Sequence, residues 1–399
     1  MHWRCLMRDI KPNNPKFKLA LLSLSLLLMS SSQVSAALPL MYNFFSGFSR
    51  TAVETLITIP NIGIVVGLLG NQFLIRILQI KGTVIIGLVM VLIAGTFPIY
   101  CNFYGPLLLS RFLLGLGIGL FNSLAVSLLY RFYQKSELDT MLGLQNATSS
   151  IGAAIFSFTV SYLINFGWHS VFWIYICALP ILIIFGLVIV IPATNSNAPH
   201  NSNLKNFRIN SSVIEIIILM FFIHLFFLPI SFKLPQLVLS EKIGNMSQVA
   251  MISGVTTLMG IPVGIIYGKM KKHLRQKTLL LGIFLQTIGI GVVAYSINLL
   301  WVFIGVFLAG SGFGIAVPDM YDWLGNIVST AAANITTTMT IIAVNLGCFV
   351  SPAVINYLNK NLANNTPRTA MIVDFEGMVF LLIYICIRFL VNKKKFLDN

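Results

Sequence analysis

Leu109-Ser110-Arg111-Phe112-Leu113-Leu114-Gly115-Leu116-Gly117-Ile118-Gly119 places one guanidinium and three alternate glycines inside an apolar run. A cation within a hydrocarbon-length segment is costly and faces a partner, a cavity or an interface. Glycines at such spacing let neighbouring helices approach closely. The rest of the chain has the same character. Of 399 residues, 57% are hydrophobic, 9% are charged and 30 are Phe, with a mean hydropathy of +0.88. Soluble domains carry about 25% charged residues, so too little charge is present to clothe a water-soluble core. Disorder, collagen and a disulfide-stapled secreted module are excluded on the same grounds. The apolar runs are continuous rather than alternating, which excludes a β-barrel.

A spanning helix takes about 20 apolar residues. Segments of that kind fall at about 19–40, 54–75, 83–102, 106–129, 140–164, 170–191, 213–236, 247–268, 278–297, 301–321, 331–357 and 371–391. The expected fold is therefore an all-α polytopic membrane protein of twelve transmembrane helices. The expected divisions are a cytoplasmic amino-terminal segment (1–18), a six-helix bundle (19–191), a cytoplasmic linker (192–212), a second six-helix bundle (213–391) and a cytoplasmic tail (392–399).

The net charge of +15 reads as topology rather than as a nucleic-acid surface. Twenty of the 26 Lys and Arg residues fall on one side of the twelve-helix map, among them Lys16, Lys18, Arg76, Lys81, Arg131, Lys271 and Arg388. Five fall on the other side (Arg50, Lys233, Lys242, Lys360, Arg368), and Arg111 lies within a span. By the positive-inside rule both termini are expected in the cytoplasm. Basic residues, the apolar Leu21–Met29 stretch and the small residues Val34-Ser35-Ala36 also resemble a signal peptide. The apolar run continues through Ala37, Leu38, Leu40 and Met41, which favours a retained first helix.

The halves align at a constant offset of 195: Thr83 and Gly87 match Thr278 and Gly282, and Gly115, Gly117 and Gly119 match Gly310, Gly312 and Gly314. These six glycines are read as helix-packing positions. Two six-helix repeats joined by a polar linker are a transporter architecture.

The Arg111-to-Gly119 run resembles the fourth-helix motif of the major facilitator superfamily, with Leu114 where a Gln is usual. Its Arg111-x-x-x-Gly-x-Gly form resembles bacterial drug:proton antiporter-like members. The loop from Arg76 to Lys81 sits where that family has its charged signature, but the acidic position is Asn71 or Ile75, depending on the count. Gly264-Ile265-Ile266-Tyr267-Gly268-Lys269 is the equivalent in the second half, again without the acid. The fifth helix has Gly152-Ala153-Ala154 in place of the antiporter Gly-Pro pair, and the eleventh has Gly347-Cys348-Phe349-Val350-Ser351-Pro352. The resemblance implies a central cavity lined by helices one, four, seven and ten.

In that setting Arg111 either binds an anionic solute or modulates a proton site, or its five donors tie helices together. His224, midway along helix seven, is a candidate proton relay, or a neutral interhelical group. Gln33, Asn122, Gln145, Asn146 and Asn345 are candidate cavity amides. Asp319 is a candidate gate residue, paired with cytoplasmic Lys or Arg, and Arg76 and Lys81, in the cytoplasmic loop after helix two, are candidate gate residues of the first half. Glu54, Asp374 and Glu376 are expected to be solvated at helix ends, and Trp168 and Trp301 to anchor at the interface. Pro229, Pro235 and Pro262 are candidate kinks of helices seven and eight, with Pro235 close enough to the outer end to mark only a helix terminus. The scattered cysteines and histidines lack metal spacing, and no P-loop is present, so no metal, cofactor or enzymatic activity is expected.

The expected function is secondary active transport in the bacterial cytoplasmic (inner) membrane by a monomer. Its partners are the bilayer, protons and a small-molecule substrate, with no nucleic acid. Proton-coupled efflux of a drug-like solute is the first reading, and import of a small nutrient or organic anion is the alternative. A sensor or membrane enzyme on this fold would need convergent groups that the sequence lacks.

Overall fold

Backbone amides in hydrocarbon have only one another to bond, so apolar segments of this length become helices. In the computed structural model every regular element among the described residues is helical. The structure describes residues 14–189, 211–275, 277–328, 330–362 and 364–397. Residues 1–13 of the expected amino-terminal segment, 192–210 of the expected linker and the last two of the tail lie outside the described residues. The chain divides into two compact units, Met1–His200 and Asn201–Asn399.

In the first unit α1 comprises Pro15–Leu26 and Ser30–Phe44, bent by 44° at the break between them. Helices α2 (residues 50–78) and α3 (residues 80–96) form one continuous run, Arg50–Thr96, turned at Gln79. They are followed by α4 (Tyr104–Phe132), α5 (Lys135–Leu163) and α6 (Ser170–Val188). In the second unit α7 is Ser211–Ser240 and α8 is Met246–Leu274. The remaining helices are α9 (Lys277–Ala294), α10 (Leu299–Ile327), α11 (Thr330–Leu362) and α12 (Pro367–Leu397). Among the described residues ten helices are long and apolar enough to cross a membrane by themselves. Counting bent α1 as one span, and dividing Arg50–Ile99 at Gln79, gives twelve.

The expected α2–α3 loop is a single backbone break. Gln79 has φ 59° and ψ 173°, a region suited to glycine and costing other residues roughly 1–3 kcal/mol. Gln79→Gly should therefore raise the midpoint of thermal unfolding, by about 1 kcal/mol in stability. An unchanged or lower midpoint would show that the turn carries no strain.

Helices α1 and α7 both depart from regular α-helix within corresponding stretches, by different chemistry. In α1 the stretch Ser30–Ala37 winds as a 3-10 helix. There the carbonyls of Ser30 and Ser31 accept hydrogen bonds from Tyr175 and Arg111. The equivalent of Gln33, offset by 195, is Leu228, the residue at which α7 is interrupted before Pro229. A proline cannot donate to the carbonyl four residues earlier, and Ser351 Oγ of α11 donates to that carbonyl, Leu225 O, at 2.6 Å. Pro235, expected at a helix end, lies inside a segment running to Ser240.

The alternate glycines separate two packing faces. Residues four apart share a helix face, and the one between them lies opposite. A Cβ on Gly115 would lie 2.0 Å from Pro60 O, and one on Gly119 2.4 Å from Ile64 O, both on α2. A Cβ on Gly117 would meet Gly87 O of α3 at 2.7 Å. The second unit repeats the plan: Gly312 would meet Gly282 O of α9 at 2.5 Å, whereas Gly310 and Gly314 face Thr256 and Val263 of α8. Gly152 on α5 approaches Leu26 O, and its repeat partner Gly347 on α11 approaches Phe221 O, at Cβ distances of 2.5 and 2.4 Å. The 195-residue offset thus holds for both members of two backbone contacts in each unit.

Trp301 is 46% exposed, but Trp168 is only 5% exposed, which corrects its reading as an anchor. The reason is local: Phe44, Phe45 and Phe172 pack around its ring, and His169 stacks on it at 3.7 Å. Burial lowers the His169 pKa from the ordinary imidazole value.

Candidate functional site

Arg111 is 1% exposed and joins four helices of the first unit. From α4 its Nε donates to Leu56 O on α2 at 3.0 Å, Nη1 to Tyr175 Oη on α6 at 2.9 Å, and Nη2 to Ser31 O on α1 at 2.7 Å. The Tyr175 hydroxyl passes the chain on to Ser30 O at 3.1 Å. Phe172 and Tyr175 present their rings at 5.6 and 5.7 Å from Cζ. These partners are carbonyls, a hydroxyl and aromatic faces, and none is an anion. The arrangement spreads a delocalised cation over several dipoles, and every side-chain nitrogen already has a protein acceptor.

The candidate amides divide by environment. Gln33 accepts from Ser157 Oγ on α5 at 2.5 Å and donates to Met29 O at 3.1 Å. Asn122 is half-buried, Gln145 is buried and Asn146 is exposed. Asn345 is buried and donates back to Ile341 O at 2.8 Å. His224 is also turned onto its own helix, with Nδ1 2.8 Å from Met220 O and the ring edge-on to Phe313 at 5.1 Å.

Several polar groups depart from expectation. Glu54, expected in water, is fully enclosed because Tyr42 folds over it and donates to Oε1 at 2.7 Å. Asn71, one of the two candidates for the eroded acidic position, donates to Ser123 Oγ of α4 at 2.8 Å, a neutral link between α2 and α4. Lys81 Nζ donates to Gly186 O at 2.7 Å, while Arg76 is exposed. Asp374 was expected at a solvated mouth and is fully enclosed, because it shares an inward face of α12 with Met371 and Met378. Lys233 was counted among the outer-side basic residues. It is 1% exposed, with Nζ 2.5 Å from Asn356 Oδ1 on α11. No hydropathy window signals this, since one lysine hardly alters the mean of an apolar helix.

The expected gate acid of the second unit has its partner. Lys271 on α8 bonds Asp319 at 2.6 Å and Asp322 at 3.0 Å on α10, and Tyr267 donates to Asp319 at 3.1 Å. Lys271, Asp319 and Asp322, with Trp323, Asn326 and Arg388, line a cavity of about 290 Å³ within the unit. Arg388 stacks on Trp323 at 3.8 Å and pairs with Glu215.

A family model described as Major Facilitator Superfamily matches residues 20–352. Proteins named "Protein TsgA homolog" from three strains of Buchnera aphidicola subsp. Acyrthosiphon pisum are 27% identical over 166 residues, or 41% of this chain. The match spans 41% of the length of those relatives. Three solved structures share the fold at low identity. A nucleoside transporter, NupG, is 12% identical, with 94% of this chain and 99% of that one covered at a TM-score of 0.76. A D-xylose-proton symporter is 13% identical, with 93% and 96% covered at 0.72. A POT family transporter in complex with 5-aminolevulinic acid is 12% identical, with 96% and 97% covered at 0.75.

Proposed function

Since the chain belongs to the major facilitator superfamily, we propose that this multi-pass secondary transporter imports a small, uncharged polar nutrient, driven by protons. Its setting in this reading is the bacterial cytoplasmic membrane, with both termini in the cytoplasm. The observation that carries the reading is the engagement of Arg111 by Leu56 O, Tyr175 Oη and Ser31 O. With each guanidinium nitrogen already bonded to a protein acceptor, Arg111 serves structure in this reading, and solute recognition is left to amides such as Asn122 and Gln145. Amides suit a hydroxyl-rich solute, because they both donate and accept. The fold shared with a nucleoside transporter and a D-xylose-proton symporter supports the same class. The solved structures named above are a nucleoside transporter, a D-xylose-proton symporter and a POT family transporter, which supports the importing alternative over the outward, drug-like reading.

The test is uptake of radiolabelled pentoses and nucleosides into proteoliposomes holding the protein in one orientation. Acid on the side corresponding to the cell exterior should drive accumulation of one class, and a protonophore should abolish it. Accumulation only with the opposite gradient would replace import by efflux.

A further inference from the structure

Asp374 stands apart from every group considered so far. Both of its carboxylate oxygens are enclosed and, among the described residues, accept no hydrogen bond. Its neighbours on the same inward face, Met371 and Met378, are fully buried. The surrounding stretch of α12 is packed tightly on two sides. Phe375 lies over Gly291 of α9, where an added Cβ would be 2.8 Å from the ring, and Thr287 of α9 donates to Met378 O at 3.4 Å. Gly377 receives the Phe226 ring of α7, which a Cβ there would meet at 2.3 Å. The carboxyl is therefore enclosed by protein.

The ionisable groups on the elements packed against α12 are engaged or placed elsewhere. On α7, Lys233 bonds Asn356, His224 bonds Met220 O, and Glu215 pairs with Arg388. Beyond α7, Glu241 pairs with Arg368, which also donates to Ala294 O and Ser296 O. On α9, Lys277 is at the far end of the helix. On α11, Cys348 is buried and Lys360 is exposed, and Glu376 on α12 is exposed. An ionised carboxylate enclosed without a donor or counter-ion is strongly disfavoured, whereas the neutral acid is tolerated. Packing alone asks for no acid, as the methionines before and after it demonstrate.

We infer that Asp374 is a proton-carrying site of the second unit, loaded while enclosed and discharged when α12 and its neighbours part to admit water. On discharge the O–H bond breaks, the proton passes to water and the bonding electron pair stays on the carboxylate. As the coupling group for transport, Asp374 rests on the import reading above. Its loading with a proton does not.

The test uses the full chain in proteoliposomes, with Asp374→Asn as the neutral isostere. Infrared spectra at neutral pH should show a carboxylic-acid C=O band in the wild type that is lost in Asp374→Asn. Identical spectra would overturn the assignment whether or not any solute is found. With a transported pentose or nucleoside in hand, Asp374→Asn should keep solute exchange but lose gradient-driven accumulation, falling to simple equilibration. Accumulation equal to wild type would overturn the coupling role. Should Asp374→Asn fail to fold, the pair becomes wild type and Asp374→Glu. The acid band should then shift in frequency, and an unmoved band would overturn the assignment.

Discussion

Arg111→Leu is expected to deprive the first unit of its folded state, so that membrane abundance and transport fall together. Leucine fills part of the volume but leaves Leu56 O and Ser31 O without the guanidinium donors, and the Tyr175 hydroxyl with only its bond to Ser30 O. Each buried polar group stranded in this way costs roughly 1–3 kcal/mol. The total, on the order of 3 kcal/mol or more, is large against the 5–15 kcal/mol that separates typical folded and unfolded proteins. Arg111→Lys should recover little, because a single ammonium on a flexible stem cannot reproduce three bonds to three helices. Thermal unfolding in detergent, read beside abundance and uptake, decides the matter. Normal abundance and melting with abolished transport would show instead that Arg111 contacts solute.

The same residue shows how far the sequence could be read. Its depth in α4 followed from hydropathy alone, as did the number of spans and their approximate limits. Its partners did not, because two of the three are backbone carbonyls, which carry no sequence signature. The 3-10 stretch of α1 was hidden for a related reason. Nothing in the side chains of Ser30 and Ser31 signals that Tyr175 and Arg111, 145 and 80 positions away, take their carbonyls. The break in α7 was legible, since Pro229 announces it. Glu54 and Asp374 were misplaced because distance from a helix end says nothing about which face a side chain occupies. On the inward face of α12, two turns from the helix start, Asp374 is as enclosed as any leucine. The Lys271–Asp319 pair was partly legible: the acid and the basic run were both visible, while their closeness required the packing of α8 against α10.

The repeated glycines let the two halves be compared directly, and they should respond differently to one added methyl group. At Gly115 the new Cβ would fall 2.0 Å from Pro60 O and 2.5 Å from Pro60 Cα, so α2 and α4 must separate. Backbone on one helix against backbone on another has no rotamer to yield. Gly115→Ala should therefore cost about 3 kcal/mol, the upper part of the usual overpacking range. That exceeds the roughly 1 kcal/mol that alanine gains over glycine in a helix. At Gly314, the repeat equivalent of Gly119, the nearest atom is Val263 Cγ1 at 3.2 Å, a side chain able to give by a few tenths of an ångström. Gly264 and Gly268 on α8 have nothing within 4 Å. For these three the helix-propensity gain wins, and alanine should leave the melting midpoint unchanged or raise it. Gly312 breaks the simple division into tight and loose halves, because its Cβ would lie 2.4 Å from Gln286 N of α9. Gly312→Ala should accordingly behave like Gly115→Ala although it lies in the second unit. Melting curves for the five alanine variants separate the two accounts. If Gly115→Ala and Gly312→Ala melt like wild type, these helices pack less closely than the Cβ distances require. A uniform loss at all five positions would point to backbone flexibility, rather than close approach, as the use of glycine here.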